Sequence, residues 1–111
     1  MARVVVVGLG PGHADLLTAG TMDALEVGRS RFVRTARHPA AAAVPDAVSF
    51  DDVYEGAASM DEVYATIVDR LVAAAGDEGE VLYAVPGSPV VAERTVELLH
   101  ARADVEVTVL P

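Results

Sequence analysis

Two stretches of this sequence have the composition of ligand-binding loops: Gly8-Leu9-Gly10-Pro11-Gly12 and Pro86-Gly87-Ser88-Pro89. Glycines let a backbone approach a ligand closely and take up positive φ, and prolines hold a loop in shape before the ligand arrives. Asp51, Asp52 and Glu55 are spaced as Asp-Asp-x-x-Glu, which invites a Mg²⁺ reading. No second acidic cluster stands opposite them, so the segment reads as a turn in which Asp51 or Asp52 caps a short helix, and no metal is expected. His13 lies inside the first loop, where it can act as a base or touch a substrate. His100 falls near a helix end and complements the dipole there. Arg34 can meet an acidic substrate, with a surface salt bridge as its default role. Tyr64 and Tyr83 read as core.

The elements that must position these residues follow from the apolar pattern. Arg3 to Val7 is β-branched and apolar after its first residue, which suits a strand buried on both faces. Thr18 to Val27 reads as a short helix with Met22, Leu25 and Thr18 inward, capped by Thr18 or Thr21 and stopped by Gly28. Arg31 to Thr35 is a second strand. Ala36 to Pro45 holds at most one short helix, Val48 to Phe50 is a brief strand, and SFDDVYEG is a turn or one helical turn. Ser59 with Glu62 forms a capping box, and Val63, Ile67, Leu71 and Ala75 recur at helical spacing until Gly76 ends the helix. Val81 to Val85 is a strand. Ser88 caps a helix with Pro89 in its first turn, running to about Ala101, and Val105 to Leu110 is the last strand.

Strands and helices alternate throughout, which implies an α/β fold: a parallel sheet of about five strands with helices on both faces. In such a sheet the carboxyl ends of the strands share one edge, where ligands collect. Both glycine-proline loops fall on that edge, and the helix expected after Ser88 points its positive end at it.

Composition narrows the chemistry. With 111 residues the chain makes one domain, and 52% hydrophobic with 23% charged residues is globular. No apolar run is long enough to span a bilayer, and no signal peptide is visible. There is no cysteine, hence no disulfide or thiolate nucleophile. A cytoplasmic protein is expected. The net charge is -9 and all basic residues are Arg, which argues against nucleic acid and anionic membranes as partners. Without Lys there is no P-loop and no Schiff base. His13 stands where a dinucleotide fingerprint needs its third glycine, and Arg34-Thr35 offers no acidic residue for a ribose, so NAD is disfavoured.

The order of motifs resembles a known family. GLGPG-x-x-x-LLT after an opening strand is similar to the start of the tetrapyrrole (corrin/porphyrin) methylases. VRTARHP (Val33 to Pro39), SFDDVYE (Ser49 to Glu55), MDEVYATIVDRL (Met60 to Leu71) and VLYAVPGSPVVAERTVELL (Val81 to Leu99) resemble, more narrowly, the methylase-like N-terminal domain of MazG-family proteins. The resemblance covers nearly the whole chain. It implies a fold of two α/β subdomains with S-adenosylmethionine between them, residues 1–111 forming the first. The chain's last strand runs straight into Pro111, where the linker to the second subdomain would begin. By resemblance Val85, Pro86, Gly87, Ser88 and Pro89 bind the cofactor, mainly through their backbone. Gly10, Pro11, Gly12 and His13 then face a small-molecule acceptor, typically a tetrapyrrole, and His38 belongs to the same acceptor side. The Asp51 to Glu55 segment borders the pocket in the MazG-type pattern. Many members have Asp where His13 stands, and Asp or His where Ser88 stands. The alternative to an enzyme is a ligand-sensing or dimerisation module beside a nucleoside triphosphate pyrophosphohydrolase domain. A homodimer is expected, since the missing second subdomain would leave apolar surface exposed.

Overall fold

The computed structural model of the chain describes residues 2–10, 17–26, 29–44, 46–87 and 93–110. Within them five strands form one sheet: β1 (Arg3–Gly8), β2 (Ser30–Val33), β3 (Val48–Ser49), β4 (Glu80–Val85) and β5 (Glu106–Leu110), in the order β3-β2-β4-β1-β5. Every neighbouring pair is parallel. The helices are α1 (Ala19–Glu26), α2 (Asp51–Gly56), α3 (Met60–Glu78) and α4 (Arg94–His100), with a 3₁₀ turn at Pro39–Ala43. The expected α/β class and parallel five-stranded sheet are what the chain forms. No helix among the described residues is long and apolar enough to cross a membrane.

Both faces of the sheet are covered, which is why β1 and β4 read as unbroken apolar runs. Alternate side chains go to opposite cores. Val4, Val6, Val81, Tyr83 and Val85 pack against α2, α3 and α4, through Val53, Ile67, Leu71 and Leu99 among others. Val7, Leu82 and Ala84 pack against α1 and the 3₁₀ turn, through Ala24, Leu25, Ala40 and Val44. Each fully buried Val, Leu or Ile stabilises the fold by about 1.5–3 kcal/mol, so the central strands are the fixed frame of the molecule.

Several local expectations need correction. In α1 the inward residues are Thr21, Ala24 and Leu25, while Met22 is 47% exposed. The Thr18 hydroxyl accepts from the Thr21 N–H at 3.1 Å, so Thr18 is the cap. Gly28 lies outside the described residues. The N-cap of α2 is Phe50, with no side-chain cap; Asp51 and Asp52 sit inside its first turn. The capping box of α3 does form, since Ser59 Oγ accepts from the Glu62 N–H at 3.2 Å, but Glu62 reaches back to the Ala58 N–H at 2.9 Å. Gly76 does not end α3. The helix runs to Glu78 and stops at Gly79, whose φ is 88°. An exposed glycine costs a helix only about 1 kcal/mol, too little to break one already anchored by its buried stripe. Finally, Glu93 is extended, so α4 starts at Arg94 and not at Pro89. Ser88 and Pro89 lie outside the described residues.

The two glycines of α3 predict opposite outcomes. A Cβ at Gly76 meets nothing within 4 Å, so Gly76→Ala should stabilise the protein by about 0.5–1 kcal/mol. A Cβ at Gly79 is equally free of neighbours but sits at positive φ, so Gly79→Ala should destabilise by about 1–2 kcal/mol. Thermal unfolding of the two variants against wild type measures both signs.

Candidate functional site

β1 and β4 lie side by side, and the chain leaves them towards opposite faces: β1 leads to α1 in one core, β4 to α4 in the other. This is the topological switch point of the sheet, where open α/β sheets bind their ligands. The described first residues of the two glycine-proline loops meet there. The Leu9 N–H donates to the Val85 carbonyl at 2.8 Å, the Gly10 N–H to the Gly87 carbonyl at 3.1 Å, and the Gly87 N–H to the Gly10 carbonyl at 3.0 Å. Two residues that exchange both hydrogen bonds must run antiparallel. Gly10 and Gly87 therefore form an antiparallel bridge at the end of a parallel ladder. The chains reverse their relation through left-handed backbone at both residues, with φ of 70° and 68°. Glycine alone takes this conformation without a steric penalty.

His38 stands behind the bridge. Its Nε2 lies 2.7 Å from the Gly10 carbonyl, and its Nδ1 accepts from the Ala40 N–H at 3.0 Å. Thr21, fully buried at the start of α1, donates from its hydroxyl to the Gly8 carbonyl at 3.4 Å. Of the residues the sequence marked, the structure thus brings Gly10, His38, Val85, Pro86 and Gly87 to one rim. Pro11, Gly12, His13, Ser88 and Pro89 lie outside the described residues.

Beside this rim lies a polar group that sequence reasoning missed. Arg34 extends the β2–β4 ladder, its N–H donating to the Ala84 carbonyl at 3.0 Å. Its side chain is not a surface salt bridge: it faces the buried Glu93, with Nε 3.5 Å from Oε1, and its NH1 donates to the Tyr54 hydroxyl at 3.2 Å. Thr95 donates to Glu93 Oε1 at 2.7 Å. A hydroxyl has one proton, so Tyr83, 2.9 Å from Thr95 Oγ1, is the donor in that contact. Burial pulls the Arg34 guanidinium down, but the Glu93 carboxylate and the Tyr54 hydroxyl more than offset this and hold its pKa above the usual value. Burial pushes the Tyr83 phenol well up. The only trace of this group in the sequence is an acidic residue, Glu93, among the apolar residues before α4.

The three carboxylates of the Asp-Asp-x-x-Glu segment go to separate partners. Asp51 accepts from the Ala36 N–H at 3.0 Å and the Thr35 hydroxyl at 2.7 Å, and these bonds hold its pKa below the carboxylate range. Asp52 pairs with Arg70 at 3.1 Å and Glu55 with Arg37 at 3.8 Å. Among the described residues no group of three or more potential ligands is arranged to hold a metal ion. Arg34, Thr35, Arg37, Asp51 and Tyr54 line an open cleft of about 230 Å³ next to the rim.

The model of the tetrapyrrole (corrin/porphyrin) methylases matches residues 3–111. The chain belongs to the tetrapyrrole methylase family. Over 108 residues it is 42% identical to a Bacillus subtilis (strain 168) protein described as "Uncharacterized protein YabN", covering 94% of this chain and 22% of that one. Among solved structures it resembles uroporphyrin-III-C-methyltransferase from Thermus thermophilus, with a TM-score of 0.72 and 25% identity over 99% of this chain and 47% of that one. The same enzyme's native form gives 0.66 and 25%, over 98% of this chain and 48% of that one. Its complex with S-adenosyl homocysteine shares the fold, at 0.61 and 24% over 98% and 44%. The chain therefore spans about half the length of these tetrapyrrole methylase structures and about a fifth of YabN.

The buried polar group gives a stability prediction. Glu93→Ala leaves the Arg34 guanidinium half-buried without its counter-charge and should cost about 3 kcal/mol. Thr95→Val leaves the Tyr83 hydroxyl without an acceptor and should cost about 1–2 kcal/mol. Urea unfolding of both variants measures this. A Glu93→Ala loss below about 1 kcal/mol, the size of an exposed pair, would show that the ion pair does not fasten the start of α4.

Proposed function

We propose that this chain supplies half of an S-adenosylmethionine-dependent methyltransferase site of the tetrapyrrole methylase type, and is the first of two subdomains. The observation that carries the reading is the Gly10–Gly87 pairing, which puts both glycine-proline loops at the switch point of the sheet in a chain of this family. In this reading Val85, Pro86, Gly87, Ser88 and Pro89 hold the cofactor, and Gly10, Pro11, Gly12, His13 and His38 belong to the acceptor side. The described residues suit a ligand held by backbone. Pro86, Gly87 and Gly10 are only part-buried, and among the described residues nothing lies within 4 Å of where a Gly87 Cβ would stand.

Bound S-adenosylmethionine supplies a methyl group already activated on a sulfonium. The protein's task is then to orient donor and acceptor in line and to exclude water. No nucleophilic side chain is needed, which agrees with a sequence lacking Cys and Lys. In this reading the rim loops orient the donor. The acceptor is a small molecule, a tetrapyrrole by family. The motif set supports a narrower assignment, the methylase-like N-terminal part of a cytoplasmic, homodimeric MazG-type protein; the 42% identical relative is much longer than this chain, as that assignment requires.

Calorimetric titration of S-adenosylhomocysteine into the 111-residue chain and into the full-length protein tests the reading. Binding by the full-length protein alone is expected, because half of the cofactor cleft lies in the second subdomain. Gly87→Trp in the full-length protein should abolish binding; retained binding would overturn the loop assignment. No binding by either protein would leave a sensing or dimerisation module as the function.

A further inference from the structure

We infer that His38 is a positioning residue for the rim ligand, acting through Gly10 and not by touching the ligand. The inference rests on the reading of the rim as the S-adenosylmethionine site. It starts from the ring's two contacts. The Ala40 N–H donates to Nδ1 at 3.0 Å, so Nδ1 carries a lone pair. The one proton of the neutral ring is therefore on Nε2, and Nε2 donates to the Gly10 carbonyl at 2.7 Å. Both nitrogens are used, so His38 stands on the acceptor side of the rim without a nitrogen left to serve as a base or to meet the acceptor itself.

The anchor below the ring is rigid. His38 is the N-cap of the 3₁₀ turn, Pro39 fixes its first residue, and Ala40 and Val44 are buried in the second core. The target above the ring is not rigid by itself. Gly10 and Gly87 sit at positive φ, and a glycine has no steric reason to stay there. Two hydrogen bonds join them to each other, and the bond from the Leu9 N–H to the Val85 carbonyl ties the preceding residue to β4, so what remains to be set is the orientation of the Gly10 carbonyl. The Gly10 carbonyl takes both the Gly87 N–H and the His38 N–H, so its two lone pairs are filled. The imidazole thus ties the bridge to a buried part of the fold and fixes where the Gly87 backbone stands at the rim.

Two conservative variants separate this role from a merely structural one. Asn in His38→Asn presents its oxygen where Nδ1 stood and keeps the cap on Ala40, but is too short to reach Gly10. Gln in His38→Gln places its amide where Nε2 stood and regains Gly10, while losing the cap. In the full-length protein His38→Asn should lose no more thermal stability than His38→Gln, weaken S-adenosylhomocysteine about tenfold in calorimetry, and speed amide hydrogen exchange at Gly10 and Gly87 about tenfold in the ligand-free state, the loss expected for one good hydrogen bond. His38→Gln should show the reverse: lower stability, near-normal affinity and near-normal exchange. Unchanged exchange in His38→Asn would overturn the clamp. Faster exchange with unchanged affinity would overturn its link to the ligand. A wild-type protein that binds no S-adenosylhomocysteine overturns the cofactor reading, and with it the link, while exchange still decides the clamp.

Discussion

Gly10 and Gly87 exchange two hydrogen bonds across the ends of β1 and β4, and the rim of the sheet takes its shape from that exchange. A parallel ladder cannot continue in this way: its bonds are slanted and evenly spaced, and no two opposite residues pair reciprocally. Both chains have to turn at the same level. The turn needs left-handed backbone twice, and the sequence meets it with glycine at both positions. The bridge then does for the loops what the ladder does for the strands. It keeps the exits of β1 and β4 together although the chain beyond them goes to opposite faces.

The second constraint is electrostatic. Glu93 is 7% exposed and shares its carboxylate between Arg34 and Thr95, with Tyr83 one hydrogen bond further in. Burying a charge costs several kcal/mol unless it is paired and hydrogen-bonded, so this group is not an obvious gain in stability over apolar side chains. It does fix geometry. The Glu93 carboxylate faces the Arg34 guanidinium and accepts from the Thr95 hydroxyl, contacts that a leucine there could not make. That arrangement ties the start of α4 to the carboxyl end of β2. Two separate devices, a backbone bridge and a buried ion pair, therefore link β2, the β1 and β4 exits and α4 at one edge of the sheet.

The frame was largely legible in the sequence, because burial on both sheet faces writes itself as apolar runs and a helix buried on one face as a 3.6-residue period. β1, β4 and α3 are strong signals of this kind. The misreadings came where a local rule met a tertiary demand. Gly76 looked like a stop, yet α3 continues because Val63, Ile67, Leu71 and Ala75 already anchor it. Met22 looked like core, but the small Thr21 and Ala24 face the sheet. The helix after β4 was placed too early because Ser-Pro is a good local cap, while Glu93 is held extended by the partners it reaches. That both loops share a rim followed from the alternation of strands and helices. That they bond to each other did not, since pairing at a distance of 77 positions leaves no periodic trace.

A rim assembled from main-chain groups relates to sequence differently from a constellation of side chains. What it demands is φ, reach and the absence of a Cβ, at few positions. Gly10 and Gly87 answer the first demand, and His38 answers the second by spanning from a buried 3₁₀ turn to the Gly10 carbonyl. The bridge itself asks for no particular side chain beyond these. This bears on two loop positions, His13 and Ser88, at which the resemblance to the family implies a different common residue. Both changes alter a side chain and leave the neighbouring glycines and prolines in place. A cofactor held by backbone would tolerate them, whereas a site relying on an aspartate at either position would not.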